Sequence, residues 1–517
     1  MEHSAMMCDV GADQYLAEGG MRIVEAGGQK ILLTKVGGRC HAVGATCPHA
    51  GAPLSEGVLQ GKTIICPWHK AAFDVTTGRR TAPPAVDDLL SFAVQRADGR
   101  LLLDIRAPQH ATGSPFVADA RDGRCMAIVG AGAAGAVAAQ TLREAGFRGR
   151  VVLIGLEDRL PYDRTVLSKY ALSGKQGGEK TPLQDQSFYD RYAIERVSRR
   201  VVSIEPARRT ITFENGSTLI YHAALAATGG SPRKLDVPGR DLPGLFVLRS
   251  AADAEAIAAA AAGARSAVIA GAGFIAMEAA ASLRERGLHV TVVAAGSVPF
   301  ERRLGREIGQ VFRRVHEREG IEFRLQDEIV ALEGKHRIEG VRLKSGGHVP
   351  ADLVVTGLGI SPETLLLGDV SRAPDGGVLV DAGLRATDGL YAAGDIAAFP
   401  LLGDGGHTRV EHWRVAEQHG RVAALNMLGC AIIYDAVPYF WTIHFMKRLD
   451  YIGHAEQWDD ILLDGDLEEP RFTACYVKDG EILAVAGWGE DRKMAAALGR
   501  MSERRGWSAA DKERLLF

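Results

Sequence analysis

Two short glycine runs constrain this 517-residue chain more than any other feature. Gly130-Ala-Gly132-Ala-Ala-Gly135 follows the apolar run MAIV and opens the alanine-rich stretch AVAAQTLREAG, with VVLIG beyond it. Gly271-Ala-Gly273-Phe-Ile-Ala276 follows SAVIA and opens MEAAASLRERG, with HVTVVA beyond it. Each unit reads as strand, tight turn, helix and second strand. Their recurrence about 140 residues apart predicts two doubly wound α/β domains built on parallel sheets. The first glycine permits the turn, and the second lets a pyrophosphate approach the helix N-terminus. The third position, where alanine is tolerated, lets the helix pack on the strand. Such a run alone is weak, because ordinary helix–sheet packing also uses glycine turns. Here strand and helix flank it, and Glu157 follows VVLIG, where a carboxylate would reach an adenosine ribose.

Bulk properties exclude several classes. A formal net charge of −3 argues against a general nucleic-acid binder. Seven cysteines in a chain this long do not suggest a disulfide scaffold. The N-terminal stretch lacks a basic start followed by an apolar run. No uncharged apolar run is long enough for a membrane span. A cytoplasmic protein is expected.

Before the first glycine unit, ILLTKV, TIIC, SFAVQR and LLLDI are β-rich runs broken by Gly, Pro and Asp, predicting an all-β N-terminal domain. Within it, Cys47-Pro-His49 and Cys66-Pro-Trp-His69 form C-x-H and C-x-x-H separated by sixteen residues. Two thiolates can bind one iron and two imidazoles the other, the ligand set of a Rieske [2Fe–2S] centre. Zinc is the alternative. Cys₂His₂ zinc sites usually pair Cys with Cys and His with His, whereas each short motif here mixes the two.

The stretch CPHAGAPLSEG…CPWHKAAFD resembles Rieske ferredoxins and the Rieske domains of ring-hydroxylating oxygenases. Compared with the high-potential respiratory type, Ala52 and Trp68 stand where disulfide cysteines would be. Ala71 and Phe73 stand where hydroxyls would bond to the cluster sulfurs. Fewer such bonds imply the low end of the Rieske range, roughly −150 mV. Lys70 stands where glycine is common and has no reading from sequence.

VVLIGLEDRLPYDRTVLSKYAL resembles the FAD-dependent ferredoxin reductase family, which implies that Arg164 and Lys169 contact the flavin. A cation near the flavin N1/N5 edge would stabilise the reduced, anionic form. ALAATGGSPRKL, with Thr228 and Gly229, resembles the family segment leaving the FAD domain. TDGLYAAGDIA resembles its second FAD motif, which gives Asp395 the ribityl hydroxyls and Gly394 the close backbone approach. A plain helix N-cap is the alternative for Asp395. VEHWRVAEQHG resembles the helix that carries a tryptophan beside the isoalloxazine, here Trp413. The resemblance pairs Glu278 with Lys169 and brings VVTGLGISPETLLL, with Gly359, over the nicotinamide. Lys169, Glu278 and Trp413 are the expected catalytic residues. After HVTVV, Ala294-Ala295-Gly296 replaces the carboxylate usual for NAD, and Arg302 and Arg303 come later, so NADH and NADPH both stay open.

The whole order resembles the apoptosis-inducing factor-like group with an N-terminal Rieske domain. It implies a Rieske domain over 10–106, a linker over 107–124 and an FAD domain over 125–247 and 371–430. An NAD(P) domain over 248–370 and an α+β C-terminal domain over 431–517 complete it. The family's F-W-S-D-Q segment reads Phe440-Trp-Thr-Ile-His444 here, which suits a reductase that owns its iron–sulfur partner. The implied activity takes electrons from NAD(P)H through FAD to the chain's own cluster. From there they pass to an acceptor such as an oxygenase or another redox protein. The alternatives are an NADH-sensing flavoprotein and an NAD(P)H oxidase or quinone reductase. A monomer or homodimer is expected, with the Rieske domain docked or free to swing on its linker.

Overall fold

The computed structural model describes residues 7–110, 116–119, 121–174, 182–401 and 406–503. Its N-terminal domain holds a six-stranded antiparallel sheet in the order Met7–Ala12, Arg100–His110, Leu90–Ala97, Arg39–Gly44, Gln29–Val36, Met21–Ala26. Strand periodicity explains how one sheet serves two cores. Ile31 and Leu33 join Phe92, Leu101 and Leu103 on one face, while Leu32 joins Val43, Cys47 and Leu54 on the other. A smaller four-stranded sheet, Val58–Gln60, Thr63–Ile65, Ala72–Asp74 and Arg80–Ala82, carries the second Cys/His loop. The strand Arg100–His110 pairs Gln109 with Ser91, so backbone pairing runs into the stretch read as a linker from 107. Residues 111–115 and 120 of that stretch, and 504–517 of the C-terminal domain, lie outside the described residues.

The two glycine units build two parallel sheets. The first runs Ile194–Ser198, Arg150–Gly155, Cys125–Val129, Ala223–Ala226, Leu390–Ala392, with Arg385–Thr387 antiparallel at its edge. The second runs Leu245–Val247, Leu353–Thr356, Ser266–Ala270, His289–Ala294, Glu322–Leu325, parallel throughout. A Cβ at Gly130 would lie 2.0 Å from the Ala227 carbonyl, and one at Gly135 would lie 1.8 Å from the Gly130 carbonyl. The alanine-rich helix Ala133–Glu144 also needs small neighbours, since a Cβ at Gly420 of helix Trp413–Met427 would lie 2.1 Å from the Ala134 carbonyl.

A five-stranded antiparallel sheet, in the order Tyr439–His444, Lys447–Gly453, Glu481–Trp488, Arg471–Lys478, Asp460–Asp466, forms the C-terminal domain with helix Asp491–Ser502. The N-terminal domain is docked on it. Ile65 and Ala72 share one apolar core with Tyr439, Ile452, Met494 and Leu498. Gln60 Nε2 donates to the Gly499 carbonyl at 3.2 Å. Against helix Ala133–Glu144, Arg80 pairs with Glu144 at 2.6 Å, and Gln140 Nε2 donates to the Val86 carbonyl at 2.9 Å. Among the described residues, no helix is long and apolar enough to cross a membrane.

Candidate redox centre

The two cluster loops are built alike. The Cys47 amide donates to the Ala52 carbonyl at 2.8 Å, and the Cys66 amide donates to the Ala71 carbonyl at 2.8 Å. Each loop thus folds back over five residues and turns its cysteine inward, where both thiols are buried. They hydrogen-bond to each other. Donation by Cys47, with the Trp68 and His69 amides, draws the Cys66 thiol down to about 7, while the same bond pushes Cys47 up. The imidazoles meet with His49 Nδ1 3.1 Å from His69 Nδ1. Burial holds both rings below the usual histidine range, keeping them neutral, the form in which imidazole ligates a metal. Among the described residues, no three His, Cys, Asp or Glu converge on one point. Two thiols on one side and two imidazoles on the other fit two irons better than one tetrahedral zinc.

Beside the loops lies a cavity of about 1600 Å³ lined by both glycine turns. A Cβ at Gly132 or Gly273 would meet no protein atom within 4 Å, so the middle glycine of each turn keeps its cavity side open. That opening is what a pyrophosphate needs, and it fits a dinucleotide at each turn. Gly135 and Ala276 do not line the cavity. Gly135 lies under its own turn, and Ala276 lies where a Cβ on Gly357 would come within 2.6 Å.

The remaining predicted residues divide along this cavity. Glu157 accepts from Tyr162 Oη at 2.8 Å and from Arg164 at 2.5 Å, and Glu157, Arg164 and Lys169 all line the cavity. Lys169 Nζ lies 3.0 Å from Glu278 Oε2 and donates to the Thr165 carbonyl at 2.7 Å. Glu278 also accepts from Ser168 Oγ at 2.5 Å and Thr442 Oγ1 at 2.7 Å, and Thr442 Oγ1 lies 2.8 Å from His444 Nε2. Three domains meet at this one buried carboxylate. Asp395 pairs with Arg249 at 2.9 Å and caps no helix, since Ala393 holds the cap position of the turn Gly394–Ile396. Thr228, Gly229, Gly359, Gly394 and Trp413 all line the cavity. Arg414 lines the cavity with its guanidinium over the Tyr439 ring at 5.3 Å, and its buried Nε and Nη1 have no hydrogen-bond partner, as at a wall that an acceptor would complete.

Three further residues were not singled out by sequence. Trp441 lines the cavity, and its ring lies 4.7 Å from that of His69, so one side chain stands between a cluster-loop histidine and the cavity. Thr442 completes the Glu278 site. Glu301, at the start of helix Glu301–Arg318, accepts from the Ser297 amide at 2.9 Å and Ser297 Oγ at 2.8 Å, just past the strand that lacks its own carboxylate. In sequence the only signal for the first two is the Phe440-Trp441-Thr442 segment, which departs from the family pattern at Thr442.

Fold and site together define a nicotinamide- and flavin-dependent reductase with a fused iron–sulfur domain. The chain belongs to the pyridine nucleotide-disulphide oxidoreductase family, whose model matches residues 125–420, and it adds a Rieske [2Fe-2S] domain over 6–93 and a reductase C-terminal domain over 439–513. It is an NAD(P)H-dependent FAD oxidoreductase. No cysteine lies between Cys125 and Cys430, so the disulfide chemistry of the family name has no residues here. The chain is 38% identical to apoptosis-inducing factor 3 of Mus musculus over 94% of its length and 82% of that protein's. It is 35% identical to the biphenyl dioxygenase system ferredoxin–NAD(+) reductase component of Paraburkholderia xenovorans, over 72% of this chain and 91% of the other. A ferredoxin reductase structure from Rhodopseudomonas palustris superposes with a TM-score of 0.70 at 31% identity, covering 74% of this chain and 96% of that one.

Proposed function

We propose that this protein passes electrons from a nicotinamide cofactor, through FAD, to a cluster in its own N-terminal domain, and then to an external redox protein. Bound FAD supplies the change from a two-electron hydride donor to single electrons, which a [2Fe–2S] cluster can accept one at a time. Gly130, Gly132, Glu157, Thr228, Gly229, Gly394 and Asp395 would hold the FAD. Gly271, Gly273 and Gly359 would hold the nicotinamide nucleotide. Lys169 sets a positive charge at the cavity wall, and Glu278, Ser168 and Thr442 fix its position. Trp413 stands at the head of its helix as a flat apolar surface. Cys47, His49, Cys66 and His69 would hold the cluster. The domain division is the one read from sequence, in a reducing compartment such as the cytoplasm.

One observation carries the reading: Trp441 lies against His69 and lines the cavity, so the two centres are neighbours in one chain. Adding NADH anaerobically to the purified holoprotein should bleach the flavin and then raise the rhombic EPR signal of a reduced Rieske centre. Relatives named as reductase components of dioxygenase systems support an oxygenase-type acceptor. The relatives named apoptosis-inducing factor 3 support a second reading, a flavoprotein sensor of NADH. A long-lived bleached flavin beside an oxidised cluster would favour the sensor.

On nucleotide choice, Glu301 Oε2 would lie 3.4 Å from a Cβ on Gly296, beside the gap at Ala294-Ala295-Gly296, and a carboxylate there favours a ribose hydroxyl over a 2′-phosphate. NADH is the preferred donor in this reading.

A further inference from the structure

Lys70 follows the cluster-loop histidine and is wholly buried. It holds the place in the second loop that Gly51 holds in the first, four residues after the cysteine, with φ of 59° against 81°. A non-glycine residue is uncommon in that left-handed region, and a buried ammonium is costly unless paired. Nothing inside the Rieske fold asks for it, since the first loop closes in the same way around a glycine.

The compensation comes from another domain. Lys70 Nζ lies 2.8 Å from Asp450 Oδ2, on the strand Lys447–Gly453 of the C-terminal sheet, and both side chains are almost fully buried. The ammonium also donates to the Pro67 carbonyl at 2.5 Å and the Trp68 carbonyl at 3.2 Å, so its three protons have three acceptors. Asp450 Oδ1 accepts from Tyr439 Oη at 2.9 Å, and Arg448 Nε lies 3.2 Å from it. Tyr439 Oη is in turn 3.2 Å from the Trp68 carbonyl. A buried, fully hydrogen-bonded ion pair adds little stability over apolar packing, yet it penalises any arrangement that leaves one charge buried alone. Any shift of the Rieske domain along this sheet would do so.

We propose that Lys70 is a positioning residue that keys the Rieske domain into a single docked register on the C-terminal sheet. In that register His69 meets Trp441. The domain is then a fixed partner of the flavin cavity and does not shuttle. The electron-transfer consequence rests on the cluster reading above; the docking itself does not.

The test uses full-length holoprotein, with Lys70→Gly, Asp450→Asn and the double variant. Glycine suits the backbone at 70 and matches the first loop, and Asp450→Asn leaves the cluster loops untouched. Removing one partner of a buried pair should weaken docking on the order of a hundredfold. Hydrogen exchange in residues 66–72 and 439–452 should therefore rise at least tenfold in either single variant. The double variant should be no worse than the single ones, because both remove the same pair. Flavin bleaching by NADH should stay within twofold, while cluster reduction slows at least tenfold. Unchanged protection of both segments in both single variants would overturn the proposal, as would cluster reduction at the wild-type rate. A wild-type protein with no Rieske signal would sink the cluster reading instead, and the exchange comparison would still decide the docking.

Discussion

The two glycine-turn units share a backbone plan and differ in where a carboxylate stands beyond the second strand. In the flavin unit, Glu157 follows directly after strand Arg150–Gly155, held by Tyr162 and Arg164. In the nicotinamide unit the strand His289–Ala294 ends in alanine, and Glu301 reaches back from the next helix to Ser297. The flavin unit also interlocks with helix Trp413–Met427 through Gly420. A tightly bound group suits the first arrangement and an exchanging substrate the second. The lesson is that one supersecondary plan can serve as a cofactor cradle or a substrate site, according to residues outside the shared turn.

The strongest way to break the comparison is at the glycines themselves. Gly130→Ala sets a Cβ 2.0 Å from a carbonyl at φ of 120°, so the protein should purify without flavin colour. Gly273→Ala meets no protein atom, so it should keep its flavin and raise the KM for NADH by about tenfold, some 1.4 kcal/mol. Lys169→Met leaves Glu278 buried without its cation at the junction between the units. It should lower unfolding stability by about 3–5 kcal/mol, read from the denaturant midpoint, and slow flavin bleaching.

The carboxylates separate the units further. Glu157→Gln should weaken FAD retention about tenfold or more without changing nucleotide choice, because a hydrogen bond to a charged group contributes about 1.5–3 kcal/mol. Glu301→Gln should leave FAD in place and lower the ratio of kcat/KM for NADH over NADPH about tenfold, on the same scale. An unchanged ratio would remove Glu301 from nucleotide choice.

At neutral pH the last contrast, acid lability, has no effect, and it grows only as pH falls. Each unit buries a neutral histidine, His419 in the first and His316 in the second, with burial drawing them down to about 3 and about 4. Folded values below the unfolded value mean that the unfolded chain takes the proton first as pH falls. Stability is therefore full above about 6.5, and each histidine lowers it by up to about 1.4 kcal/mol per pH unit below that. The loss from His316 should level off near its folded value, and that from His419 about one unit lower. Denaturant midpoints at stepped pH for His316→Gln and His419→Gln should each show a shallower acid slope than the parent.

What could be read from sequence was local in sequence. The cluster loops and glycine turns announce themselves because each puts its chemistry within a few residues, as Cys47 with His49 and Gly130 with Gly132. The residues that join the centres come from far apart. Trp441 meets His69 across most of the chain, and Thr442 completes a site begun at Ser168 and Glu278. Lys70 stood out as unusual, yet its meaning lay in Asp450, 380 positions away. Arg164 lines the cavity, and its partners, Glu157 close in sequence and the Arg249 carbonyl 85 positions on, show the same mix of local and distant contacts. The strand Arg100–His110 ran past its expected end because pairing with Leu90–Ala97 continues where composition suggested a linker.

The most direct test of the account is whether the cluster is reduced within its own molecule. Holoprotein mixed anaerobically with saturating NADH, over a hundredfold range of protein concentration, can be followed by stopped-flow absorbance and freeze-quench EPR. The account predicts flavin bleaching followed by a Rieske signal, with a first-order rate that does not depend on protein concentration. A rate that climbs in proportion to protein concentration, or a flavin that bleaches while the cluster stays oxidised, would contradict it.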